Sequence, residues 1–147
     1  MEVVRPLNVP HARVLMTERP TRWRAIVVDR LDQLCRLPVG WNGYHAGPVD
    51  FGTASFALNM LKSICDPEAP APSVVPGVNG DLQIEWHLAK GDIELHVRAP
   101  NDVHAWRKTP DTNEDGDELV LTVDFTEVVR WIKDVTEPAR AVVSAAA

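Results

Sequence analysis

Apolar and polar residues alternate most regularly in DLQIEWHLAKGDIELHVRA, residues 81–99. Leu82, Ile84, Trp86 and Leu88 alternate with Gln83, Glu85 and His87, and Ile93, Leu95 and Val97 alternate with Asp92, Glu94, His96 and Arg98. A period of two puts each set on its own face of a strand. Two such runs around Lys90-Gly91 predict a hairpin with that dipeptide as its turn. The resulting register sets Leu88 opposite Ile93, Trp86 opposite Leu95 and Ile84 opposite Val97. On the other face it sets His87 against Glu94, Glu85 against His96 and Gln83 against Arg98.

Upstream the period is that of a helix. In PTRWRAIVVDRLDQLCRLP, Trp23, Ile26, Val27, Leu31, Leu34 and Cys35 recur at helical spacing, with Thr21 as N-cap and Pro38 as the stop. In FGTASFALNMLKSIC, Phe51, Ala54, Leu58, Leu61 and Cys65 form one stripe behind Asp50, a good N-cap. The connector DPEAPAPSVVPG holds four prolines, which exclude helix and lead into a strand at residues 73–78. Asn79-Gly80 signals a turn. Residues 102–108 read as a further strand, with Val103 and Ala105 on one face, and residues 119–123 as a short fifth strand. Residues 124–135 read as a helix with Phe125, Val128, Val129 and Ile132 on its apolar side. The organisation expected is an extended arm at residues 1–18, one domain at residues 19–136 and a frayed tail at residues 137–147. The fold expected is α+β: two N-terminal helices, an antiparallel β-meander of about four to five strands, and a C-terminal helix packed on one sheet face.

The bulk properties narrow the function classes. A chain of 147 residues suits one domain with a single core. A net charge of -6 argues against direct nucleic-acid binding, which draws on clustered Lys and Arg, and leaves a basic protein partner open. No apolar run approaches the roughly 20 residues that cross a bilayer, so no membrane partner is expected. Cys35 and Cys65, with no signal-peptide pattern ahead of them, point to a reduced cytoplasmic compartment and to two buried thiols. The chain carries no HExxH, CxxC, GxSxG, P-loop or dinucleotide fingerprint. No cofactor and no catalytic residue are therefore expected.

Two surfaces carry candidate chemistry. The first is the loop GWNGYHAGPVD, residues 40–50, in which Trp41, Asn42, Tyr44 and His45 are the candidate partner-binding residues. Its structural reading has Gly43 at a positive φ and Trp41 anchored over the seam between helices and sheet. The second is the checkerboard of His87, Glu94, Glu85 and His96, whose imidazoles and carboxylates suit a zinc-like ion or a proton shuttle. A solvated sheet face with cross-strand charge pairs is the plainer reading of those four residues.

The segment LPVGWNGYHAGPV, followed by the proline-rich connector and NGDLQIEWHL, resembles a group of small bacterial proteins of uncharacterised function. That group carries a GWDGYGA-like segment, a helix and a DGxLxxEW-like strand. The resemblance covers residues 34–98, with Asn42 where the pattern has Asp and His45 where it has Gly. It implies a bacterial, cytosolic protein without established chemistry, of the kind found in accessory gene pairs. The function expected is a non-enzymatic interaction module, antitoxin-like or inhibitor-like, acting on a bacterial protein partner in defence or counter-defence. The alternative is a metal-binding protein or hydrolytic enzyme on the His/Glu face. A homo-oligomer joined through an edge strand is a third reading.

Overall fold

Five strands form one antiparallel sheet in which every strand lies beside its neighbour in sequence. They are β1 (Ser73–Pro76), β2 (Leu82–Leu88), β3 (Gly91–Ala99), β4 (Asp102–Lys108) and β5 (Asp117–Leu121). Helices α1 (Arg24–Cys35) and α2 (Phe51–Ile64) precede the sheet, and α3 (Thr126–Thr136) follows it. The computed structural model describes residues 21–112 and 114–138. The arm expected at residues 1–18, and all but the first two residues of the expected tail, lie outside them. The architecture is α+β with a wholly antiparallel sheet.

The alternation in the sequence becomes two unlike sheet faces. Leu82, Ile84 and Trp86 of β2, Ile93, Leu95 and Val97 of β3, and Val103 and Ala105 of β4 are buried on one face. Val27, Leu31 and Leu34 of α1, Ala57 and Leu61 of α2, and Val128, Trp131 and Ile132 of α3 complete the same core. Burying one such large side chain contributes roughly 1.5–3 kcal/mol.

The central hairpin is shifted by two residues from the expected register. Ile84 pairs with Leu95, Trp86 with Ile93, and Leu88 with Gly91, so Ala89 and Lys90 form the loop. On the polar face Glu85 stands opposite Glu94, Gln83 opposite His96 and His87 opposite Asp92. A shift of two leaves every side chain on its expected face and changes every partner. Gly91 lies in β3, opposite Leu88, and not in the loop. Gly91 has a φ of 153°, and a Cβ there would lie 2.7 Å from the Lys108 carbonyl oxygen, so both its backbone conformation and the close approach of β4 require the glycine. Leu88, expected in the core, is about one-third exposed at the hairpin end.

Helix boundaries and stripes are corrected as well. Thr21 is not the N-cap of α1; the helix starts after Trp23 with no side-chain cap. Its entry is fixed from outside instead, by Arg22 N–H donating to Pro67 O at 2.7 Å and the Trp23 indole donating to Asp66 O at 3.2 Å. Ile26, expected in the core, is exposed. Asp50 caps α2 as expected, its Oδ2 accepting from Thr53 N at 3.1 Å. The buried stripe of α2, however, runs through Thr53, Ala54, Ala57, Met60, Leu61 and Ile64. Phe51, the first helical residue, is 76% exposed. The strand expected at residues 73–78 ends at Pro76, and β5 begins at Asp117, earlier than expected, because Asp117 pairs with Arg107 at 2.7 Å. In α3, Trp131 and Val135 join Val128 and Ile132 in the core, while Val129 is largely exposed. Cys35 and Cys65 are both free thiols, half-buried and buried respectively. No helix among the described residues is long and apolar enough to cross a membrane.

Candidate functional site

The loop between α1 and α2 is wired to itself. Gly40 N–H donates to Ala46 O at 2.7 Å, Trp41 N–H to Pro38 O at 3.1 Å and Gly43 N–H to Gly40 O at 2.9 Å. Asn42 Oδ1 accepts from the backbone of Tyr44 at 3.0 Å and of Ala46 at 3.3 Å, an arrangement that closes a turn through a side chain. Trp41 is half-buried, and its indole donates to Gly47 O at 2.6 Å, inside the loop. Gly40 and Gly43 sit at φ of 85° and 86°, where a side chain is disfavoured. The loop end is tied to the fold by Val49 N–H on Leu34 O and by Asp50 N–H on Gly80 O, at 3.0 and 2.8 Å. Trp41 and Asn42 thus build the loop, whereas Tyr44 and His45 are exposed and Tyr44 is 79% accessible.

The second region is the sheet face turned away from the helices. Three imidazoles lie on it, each against a carboxylate. His87 places Nε2 3.0 Å from Glu85 Oε1 and Nδ1 3.1 Å from Asp92 Oδ1. His96 Nε2 sits 2.5 Å from Asp81 Oδ2, and His104 Nε2 lies 2.9 Å from Glu118 Oε1. The hydrogen bond to Glu85, then that to Asp92, hold the His87 pKa above its ordinary value. Burial pushes the Asp81 carboxyl up, but the hydrogen bonds from His96 and Asn79 N–H and the charge of His96 outweigh it and hold Asp81 below its ordinary value.

The expected four-residue group divides. Glu85, His87 and Glu94 each offer a ligand atom, all within 4.8 Å of one another. His96 is not part of that group; it faces Gln83 and His104 in the strand ladder and is engaged by Asp81. With Gln83, Glu94, His104, Trp106 and Glu118 it lines a shallow concavity of about 300 Å³. The indole of Trp106 donates to Asp115 O at 2.9 Å, tying the acidic loop to this wall.

Asp81, His104, Trp106 and Glu118 were not among the residues singled out from sequence. His104 and Trp106 carried a usable signal, because they alternate with the core residues Val103 and Ala105. Glu118 gave none, lying at the end of an acidic run that reads as loop. Chemically, a carboxylate beside each imidazole orients the ring. No Ser, Thr or Cys lines the concavity, and both thiols belong to the helical half of the chain. No family model matches the chain, and no curated protein or solved structure is significantly similar to it.

Proposed function

We propose that the chain is a non-enzymatic protein-interaction module of the antitoxin or inhibitor kind, and that the loop at residues 40–50 is the anchor it presents to a protein partner. One observation carries this reading: Tyr44 is 79% exposed at the tip of a loop whose turn is fixed by internal hydrogen bonds of Gly40, Trp41, Asn42, Gly43 and Ala46. The loop's own structure uses Trp41, Asn42 and the two positive-φ glycines, and it has no use for the Tyr44 ring. A tyrosine has only two side-chain torsions to order on binding, and Tyr is enriched among the residues that dominate interfaces. Val39 and Phe51, on either side of the loop, are 78% and 76% exposed. Exposed apolar groups of this size on either side of Tyr44 in sequence suit the core of an interface.

The test is affinity purification of the full chain from its host with quantitative mass spectrometry. It compares the wild-type chain, a Tyr44→Ala/His45→Ala variant and a His104→Ala control. The expected result is a protein recovered in stoichiometric amount with the wild type and the control, and depleted by about tenfold or more in the double variant. Its melting temperature should match that of the wild type. Equal recovery with the double variant overturns the assignment to this loop.

A further inference from the structure

Two glutamates face one another on the central hairpin. Glu85 of β2 is the direct cross-strand partner of Glu94 of β3, and like charges in that position destabilise a sheet unless something positive is shared between them. Among the described residues no Lys or Arg is within ion-pair distance of either carboxylate. Their neighbours are His87, on Glu85 Oε1, and Gln83, whose Nε2 donates to Glu85 Oε2 at 2.7 Å and reaches Glu94 Oε1 at 3.4 Å. Gln83 therefore engages one oxygen of each glutamate; His87 engages the other oxygen of Glu85, and the second oxygen of Glu94 is left for a further partner.

We propose that Glu85, His87 and Glu94 bind one divalent cation of the zinc class, with Asp92 as the positioning carboxylate. The donor set is one imidazole nitrogen and two carboxylates, which suits borderline ions such as Zn²⁺ over the soft ions that need thiolate. Zinc takes such ligands at about 2.0–2.2 Å, so tetrahedral donors stand about 3.3 Å apart. His87 Nε2 and Glu85 Oε1 are already 3.0 Å apart, and all three ligand atoms lie within 4.8 Å. Closing the remaining gap requires rotation of the Glu94 side chain, whose contact with Gln83 is the long one. Asp92 lies 3.1 Å from His87 Nδ1 and can hold that nitrogen as the N–H, turning Nε2 toward the glutamates. A carboxylate behind a ligating histidine is the usual means of fixing its tautomer and ring orientation. The side chains stand on two paired strands, a stiffer support than a loop. His87 is half-exposed, so solvent can supply the fourth ligand.

The site stands on geometry separate from the Tyr44 loop, so its failure would not bear on the interaction reading. The experiment is calorimetric titration of the tag-free full chain with ZnCl₂ at about pH 8, where the imidazole is neutral in the absence of a partner. The expected result is one Zn²⁺ per chain in the wild type and in His104→Ala, whose imidazole lies outside the group. His87→Ala and Glu94→Gln should weaken binding by about 100-fold, and Asp92→Asn by about tenfold. Thermal unfolding separates loss of the site from loss of the fold. Metal-free Glu94→Gln, relieved of its facing charge, should melt at or above the metal-free wild type, and zinc should raise the melting temperature of the wild type and of His104→Ala but not that of His87→Ala or Glu94→Gln. Absence of zinc binding by the wild type, or binding that survives His87→Ala, overturns the proposal.

Discussion

Trp86 donates from its indole N–H to the carbonyl oxygen of Pro70, 2.9 Å away. The ring itself is 2% exposed, at the centre of the helix-facing sheet surface. Trp23, just ahead of α1, makes a like bond to Asp66, so buried tryptophans hold the proline-rich connector at its first residue and at Pro70. We expect Trp86→Ala to destabilise the fold by about 3–5 kcal/mol through the cavity it leaves. Trp86→Phe keeps most of the volume but strands the Pro70 carbonyl, and should cost at least about 1 kcal/mol. Urea denaturation of the two variants measures both; a loss below about 1 kcal/mol for the alanine variant would contradict the core assignment.

Two glycines should respond differently to alanine. Gly43 has a φ of 86° and open space where a Cβ would stand, so Gly43→Ala meets only the backbone penalty of about 1–2 kcal/mol. Gly91→Ala would place its Cβ 2.7 Å from the Lys108 carbonyl oxygen and must also push β4 away. It should cost distinctly more, and thermal melts of the pair would show the order. A reversed order would mean that the approach of β4 does not constrain Gly91.

This pair also shows what the sequence revealed and what it did not. Alternation reports which face a side chain takes, and every residue of the central hairpin lies on its expected face. It is silent about partners, because a shift of two residues preserves alternation. Gly91, expected in the turn, is instead paired with Leu88 and lies close to the Lys108 carbonyl, a contact that alternation does not report. The metal-ligating candidates show the same limit. Glu85, His87 and Glu94 share a face and lie together, whereas His96, on that same face, was drawn away by Asp81 at the end of the preceding loop. Helical stripes failed at their margins, at Ile26 and Phe51, where a residue of the right spacing lies beyond the reach of the sheet.

Acid should loosen the Asp81–His96 contact. The folded chain keeps the Asp81 carboxyl ionised to a lower pH than the ordinary value. Its contribution to stability is therefore present above the ordinary carboxylate range and is lost as pH falls through the folded value. Asp81→Asn removes that linkage while keeping the side-chain shape. Melting temperatures taken from about pH 6 down to about pH 2 should fall less steeply in the variant than in the wild type. Parallel slopes would show that this carboxylate is not held by the imidazole.

The two thiols should differ in reactivity. Burial, followed by the neighbouring charge of Asp66, pushes the Cys65 thiol up to about 12, and its side chain packs in the core. Cys35 is raised as well, by partial burial and then by Asp32 and Asp50, yet it is half-accessible. Alkylation of the native chain near pH 8, read by mass spectrometry of the digest, should label Cys35 slowly and leave Cys65 unmodified until the chain unfolds. Equal labelling would place Cys65 outside the core.

A sheet whose strands follow chain order has its first and last strands as its two borders, and here the borders are unlike. β1 has four residues, ends in Pro76, and has the Val74 carbonyl oxygen engaged by Arg30 Nε at 2.9 Å. β5 has five residues without proline, and Val120 on it is 73% exposed. Main-chain hydrogen bonding by an incoming strand is blunted at the first border by Pro76 and the Arg30 contact. The two ends of the sheet are therefore not equivalent: one is closed by a proline and a side-chain contact, and the other shows neither among the described residues.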